Sequence, residues 1–199
     1  MKSHFLKTLQ LLEGHAQEKP LQIKDVFNAL GDTSHLILIL FLTLPFLQPI
    51  PLPGLSTLFA VLIVVLAFLN YFGKPVKLPR RWNEKFISQK LMFSILKGAE
   101  KIWNFLEKFL KVRWSFFFRS RFFKAFNVLV ICVQALLLAL PIPILFSNKV
   151  PALAIAVMVI GELEEDGVMI LISYIISVLS IAFFGGLFLG FKSGFDFMQ

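Results

Sequence analysis

Between Leu36 and Phe72 an apolar run is interrupted by Pro45, Pro49, Pro51, Pro53 and Gly54, and no single helix can pass through it. Each proline removes a backbone N–H and crowds the carbonyl one turn back, so the chain must break there. In hydrocarbon, an irregular break survives only where protein or a water-filled cavity covers its polar backbone groups. The break marks either a turn at the membrane surface or a sheltered loop within it. A second passage has the same build: Leu138 to Pro141, then Pro143, the polar Ser147-Asn148-Lys149, and Pro151 at the head of another apolar arm.

That the surroundings are lipid follows from composition. Of 199 residues, 57% are hydrophobic and 24 are Phe, and the mean hydropathy is +0.79, beyond what a water-soluble domain of this size carries. The expected fold class is an all-α integral membrane protein. Twenty Lys and Arg stand against 12 Asp and Glu. Basic residues flanking apolar spans answer to anionic lipid and the positive-inside rule rather than to nucleic acid. The one cysteine, Cys132, lies in an apolar span, which excludes an intrachain disulfide. His4, His15 and His35 have no ligand spacing, so neither a metal nor a cofactor is expected. No Ser/His/Asp set, HExxH, glycine-rich phosphate loop or nucleotide motif is present, so no catalytic residue is assigned and an enzyme is the weaker class.

Residues 1–34 read as amphipathic helices on the cytoplasmic surface. Phe5, Leu6, Leu9, Leu12 and Ala16 recur at helical spacing and Pro20 ends the first helix. The second, Ile23 to Leu30, stops at Gly31, and Asp32-Thr33-Ser34 supply N-cap candidates for the next. Residues 35–73 form a first broken hairpin. His35 to Leu47 covers only about 20 Å at ~1.5 Å per residue, short of a hydrocarbon core of ~30 Å, whereas Leu55 to Phe72 is close to long enough. The hairpin is re-entrant or a tilted pair of spans; in both cases its ends return to one side.

Residues 74–124 hold most of the positive charge, which assigns them to the cytoplasm. Within them Lys90, Ser94, Lys97, Lys101, Asn104, Lys108 and Lys111 share one helical stripe, and Leu91, Ile95, Ala99, Ile102, Leu106 and Leu110 another. Such a helix either lies on the membrane, held by anionic lipid, or packs on the protein's own core. Trp114 to Phe123 reads as an aromatic belt with arginines snorkelling toward phosphates. Residues 125–167 form the second broken hairpin and 168–199 a closing span and tail, in which Gly185-Gly186 admits close helix approach and an oligomer. Leu42-Thr43-Leu44-Pro45 and Leu138-Ala139-Leu140-Pro141 open matching passages, so the two hairpins are expected to be an internal repeat, related by an axis along the membrane normal.

The residues also carry a family likeness. Ala29 to Ser34, Leu44-Pro45 with Pro49, Pro51 and Pro53-Gly54-Leu55-Ser56, Gly73-Lys74-Pro75, Leu78-Pro79-Arg80-Arg81, Leu140-Pro141-Ile142-Pro143, Asn148, Pro151 to Ile155 and Glu164-Glu165-Asp166-Gly167 together resemble the ExoD family of exopolysaccharide synthesis proteins, over about residues 25 to 185. The likeness implies a bacterial inner-membrane protein, multi-pass, associated with exopolysaccharide production. Glu164 and Asp166 belong to the family pattern; Asp32-Thr33 and Glu165 depart from it.

Two groups of residues are candidates for function. Each proline loop delivers a helix N-terminus, where unpaired N–H groups favour anions. Gly54, Ser56 and Thr57 in the first, with Asn148 and Lys149 in the second, are either a joint site for an anionic head group or simple proline-marked turns at the outer surface. The acidic turn of Glu162, Glu164 and Asp166 is either solvated and paired with the basic stripe or, at Glu162, partly buried and used in proton coupling. The leading expectation is participation in exopolysaccharide synthesis or export by translocating a lipid or small anionic solute between the hairpins. The alternative is a non-transporting assembly factor that engages polysaccharide synthesis proteins through its cytoplasmic helices.

Overall fold

The structure is a computed structural model. It describes residues 22–47, 55–76, 110–114, 116–140 and 147–196, with Gly14, Leu96, Lys97, Glu100, Lys101, Trp103 and Lys108 besides. The described residues form helices α1 (Ile23–Leu30), α2 (Ser34–Leu47), α3 (Leu55–Tyr71), α4 (Phe116–Arg119), α5 (Arg121–Ala139), α6 (Lys149–Leu163) and α7 (Gly167–Asp196), with a 3-10 turn at Gly31–Thr33. Their one β feature is a single bridge between Arg113 and Asp166.

Local chemistry explains most of the boundaries. At the start of α1 the backbone N–H of Gln22 donates to Asp25 Oδ2 at 3.0 Å, and the helix ends at Gly31, whose φ of 51° suits glycine. The expected N-cap at Thr33 does not form. Its hydroxyl donates back to the Leu30 carbonyl at 2.7 Å, which ties the 3-10 turn to α1 instead. The α3 terminus closes as a Schellman motif: Gly73 N–H donates to Asn70 O and Lys74 N–H to Leu69 O, with Gly73 at φ 61°.

Helix α2 runs to Leu47, the end expected for the short arm, and carries Pro45 inside it, so of the prolines expected to break the helix Pro45 does not. Near a helix end a proline forfeits one internal bond, and packing of the last turn can offset that loss. Here Phe46 is buried and meets Phe59 of α3 edge-on at 5.7 Å. Helices α2 and α3 pack on each other; Pro49, Pro51, Pro53 and Gly54, expected to break the chain between them, lie outside the described residues, as do Pro141 and Pro143. Pro151 is the third residue of α6 rather than the first, still within the turn whose N–H groups need no helical partner.

Among the described residues, three helical stretches are long and apolar enough to cross a membrane: Lys24–Leu47, Arg121–Ala139 and Gly167–Gly190. This is a membrane protein. The first stretch reaches that length only by adding α1 and the 3-10 turn to α2, which alone covers about 21 Å. The shorter apolar helix Leu55–Tyr71 is α3. Its Leu58, Val61, Leu62, Val65 and Phe68 are exposed at helical spacing, as lipid-facing side chains are.

The four hairpin arms pack crosswise: α2 lies along α6 and α3 along α5, while α7 lies along α6. Helix α6 is the most enclosed, with Pro151, Ala152, Ala154, Ile155, Ala156, Met158, Val159, Gly161 and Leu163 buried. Small residues let its neighbours come close; a Cβ on Gly161 would stand 3.0 Å from Met169 Cβ. In the basic segment Leu96 and Trp103 join the core, and Lys97, Lys101 and Lys108 are exposed. At these positions the helix packs on the protein rather than on lipid. The buried residues Leu96, Trp103 and Leu110 recur every seven, and only Leu110 belongs to the apolar stripe expected from the sequence.

Candidate functional site: a cleft at the hairpin bases

A cleft of about 820 Å³ opens where both hairpins have their bases, at the opposite end from the proline loops. That volume lies within the range of ligand pockets, roughly 300–1,000 Å³. The start of α2 gives it Asp32, Thr33, Ser34 and His35; the end of α3 gives Asn70, Tyr71, Gly73 and Lys74; α5 gives Lys124 and Asn127; and the end of α6 gives Glu162 and, beyond it, Glu165. The His35 ring links the first hairpin to itself: Nε2 donates to the Lys74 carbonyl at 2.8 Å, and Nδ1 is buried without a partner.

Glu162 is held from the second hairpin. Asn127 Nδ2 donates to Glu162 Oε1 at 2.8 Å, and Tyr174 O–H donates to Asn127 Oδ1 at 2.6 Å. Glu162 lies in the last turn of α6, outside the three candidate spans. Burial pushes its carboxyl up to about 7, against the Asn127 hydrogen bond and the Lys124 charge, which pull it down. The polar line continues along the α5–α7 seam. One face-repeat on from Asn127, Gln134 Nε2 donates to the Ser177 carbonyl at 3.3 Å, and Ser173 O–H donates to the Ala154 carbonyl at 2.8 Å. Gln134 Oε1 and the hydroxyls of Ser177 and Ser180 are buried without partners.

The remainder of the acidic turn is a latch. Asp166, with a fully buried side chain, accepts from Arg113 Nε (3.1 Å) and Nη2 (3.2 Å), from the Lys111 N–H (3.0 Å) and from the Val168 N–H (3.0 Å). Burial alone would raise this carboxyl, but these bonds and the Arg113 charge outweigh it and hold the group below the usual carboxylate range. The Val168 bond makes Asp166 the cap of α7. Gly167 has no room for a side chain, since a Cβ would meet Trp114 Cβ at 2.7 Å and Phe117 Cδ2 at 2.9 Å. Glu164 Oε1 accepts from the Trp103 indole at 3.0 Å. Within the turn Asp166 is buried and paired with the basic Arg113, Glu162 and Glu164 are half-buried, and Glu165 is exposed. The aromatic belt is likewise divided: Phe117 is buried and packs against Phe123 and Tyr174, while Phe122 faces outward.

At the proline end, Ser56 is buried and Thr57 O–H donates to the Ala139 carbonyl at 3.3 Å, joining the start of α3 to the end of α5. Asn148 precedes α6 without capping it through its side chain, and its Oδ1 is buried without a partner. Lys149 is the first residue of α6. Gly54 lies outside the described residues.

The family described as Exopolysaccharide synthesis, ExoD matches residues 5–186. The chain belongs to the ExoD family. Membership associates it with exopolysaccharide synthesis. It is 29% identical to Protein ExoD of Rhizobium meliloti (strain 1021) over 81% of this chain and 68% of that one. It is 32% identical to an uncharacterized protein of Synechocystis sp. over 72% of this chain and 67% of that one. No solved structure matches it.

For this ExoD-family chain the sequence pointed to Glu162, and missed His35, Lys74, Arg113 and Tyr174 as its surroundings. One signal was available. Asn127 and Gln134, seven apart in an apolar span, fall on one helix face, and polar residues at membrane depth mark the side that faces protein.

Proposed function

We propose that the protein acts in exopolysaccharide synthesis or export in the bacterial inner membrane, moving a lipid or small anionic solute between its two hairpins. The observation that carries this reading is the cleft, which both hairpins build together and neither contains alone. A rocking of one hairpin against the other would change its shape, and paired repeats around a shared site are a recurrent plan among transporters. The positive-inside rule places residues 74–124, and with them the cleft, on the cytoplasmic side. Lys74 and Lys124 share its wall with Asp32, Glu162 and Glu165, and Ser56, Thr57, Asn148 and Lys149 stand at the other ends of the same helices.

Reconstitution of the purified chain in vesicles tests this. A fluorescent lipid or a small anion should cross faster than in protein-free vesicles, with no partner added. Movement of neither, with the protein folded and inserted, overturns the reading. A second reading has its own support: Lys97, Lys101 and Lys108 are exposed beside a buried Leu96 and Trp103, a basic surface on a fixed support that suits anionic lipid or a polysaccharide synthesis protein. In that case the chain is an assembly factor, inert in vesicles until partners are supplied.

A further inference from the structure

The walls of the cleft carry one buried acceptor that no donor among the described residues serves, and beside it a carboxylate with an oxygen to spare. A carbonyl can only accept, so the 2.8 Å contact to the Lys74 oxygen puts a proton on His35 Nε2. In the neutral ring Nδ1 is then an acceptor, and it is buried without a partner on a residue only 4% exposed. Buried acceptors are rarely left unpaired, so this one asks for a donor. Glu162, half-buried in the same cleft, uses Oε1 to accept from Asn127, which Tyr174 locks in place, and so has a second carboxylate oxygen to offer a ligand. Charge narrows the choice of ligand. Lys74 and Lys124 are offset in the same wall by Asp32 and Glu165, with Glu162 beside them, so of the two cargoes proposed above this lining favours an uncharged head group over a small anion.

We propose that the cleft binds a sugar, its hydroxyls donating to His35 Nδ1 and Glu162 Oε2 and its apolar ring face lying against Tyr71 and Phe117. Hydroxyls are donors without charge, which satisfies both acceptors at no electrostatic penalty, and aromatic side chains line the same cleft. The sugar is either free or the head group of a lipid. This inference rests on the reading of the cleft as the transport site and names what it takes.

Calorimetry on the full chain in lipid nanodiscs, prepared without glycosidic detergent, tests it with three probes: a short-chain alkyl glucoside below its micelle concentration, the alkyl phosphate of the same chain length, and free glucose. The glucoside should bind at least tenfold more tightly than the alkyl phosphate. Measured well above pH 7, where the Glu162 carboxyl is ionised, Glu162→Gln, which keeps an oxygen for Asn127 but puts a donor where the second carboxylate oxygen was, should weaken glucoside binding by about tenfold, and His35→Phe by a similar factor. Glucose binding as tightly as the glucoside would identify a soluble sugar; glucoside binding alone would identify a lipid head group. Binding of neither, equal binding of the alkyl phosphate, or glucoside binding untouched by Glu162→Gln overturns the proposal. Sugar binding that survives in a protein inert in vesicles would remove transport and leave the site.

Discussion

Glu162 and Asp166 lie four residues apart in one acidic turn, yet they have opposite environments. Asp166 is wrapped by donors from Lys111, Arg113 and Val168, and its carboxyl sits below the ordinary range. Glu162 is given one donor, Asn127, and its carboxyl is pushed up to about 7. The lesson is about capacity. A carboxylate with its lone pairs committed holds structure together, whereas one with a spare oxygen on a cleft is available to a ligand or a proton.

The comparison breaks most visibly at Asp166. Asp166→Ala uncaps α7 and strands the Arg113 guanidinium and two backbone N–H groups, a loss of roughly 2–4 kcal/mol, tempered because Arg113 keeps contact with water. Chemical unfolding in detergent should show it, and an unchanged midpoint would refute the latch. Gly167→Ala follows at roughly 1–3 kcal/mol in the same unfolding experiment, from overpacking against Trp114 and Phe117.

Titration separates the two carboxylates by sign. Glu162 is raised, so the folded protein binds its proton more tightly than the unfolded chain; that stability is complete below its ordinary value of 4.5 and is lost as pH rises through about 7. Asp166 is lowered, so its contribution is complete above its ordinary value of 3.8 and is lost as pH falls further. Melting temperature against pH should therefore decline between about 4.5 and 7 in the parent, and Glu162→Gln should flatten that decline while leaving the acid limb. The smallest effect belongs to Ser180→Ala. Removing a buried hydroxyl that has no partner should change stability by less than about 1 kcal/mol, in either direction; a larger loss would mean that the seam holds something bound.

How much of this was legible varies with the range of the interaction. The end of α1 at Gly31 and the start of α3 at Leu55 follow from neighbours in the chain, and both are found where the sequence puts them. Pro45 misled because the residue that secures its turn, Phe59, lies on α3. The burial of Asp166 escaped for the same reason at longer range. Arg113 is 53 residues from Asp166, and nothing local distinguishes a carboxylate that will be enclosed from one that will be hydrated.

The sequence by itself determined that the chain lives in lipid and is helical, because hydropathy and helix-forming backbone geometry are properties of a residue and its near neighbours. Only the tertiary structure decided which end of the hairpins carries the cleft, which acid is locked and which is free. Those outcomes depend on desolvation and on donors brought from distant segments, and a side chain acquires both only when the helices close around it.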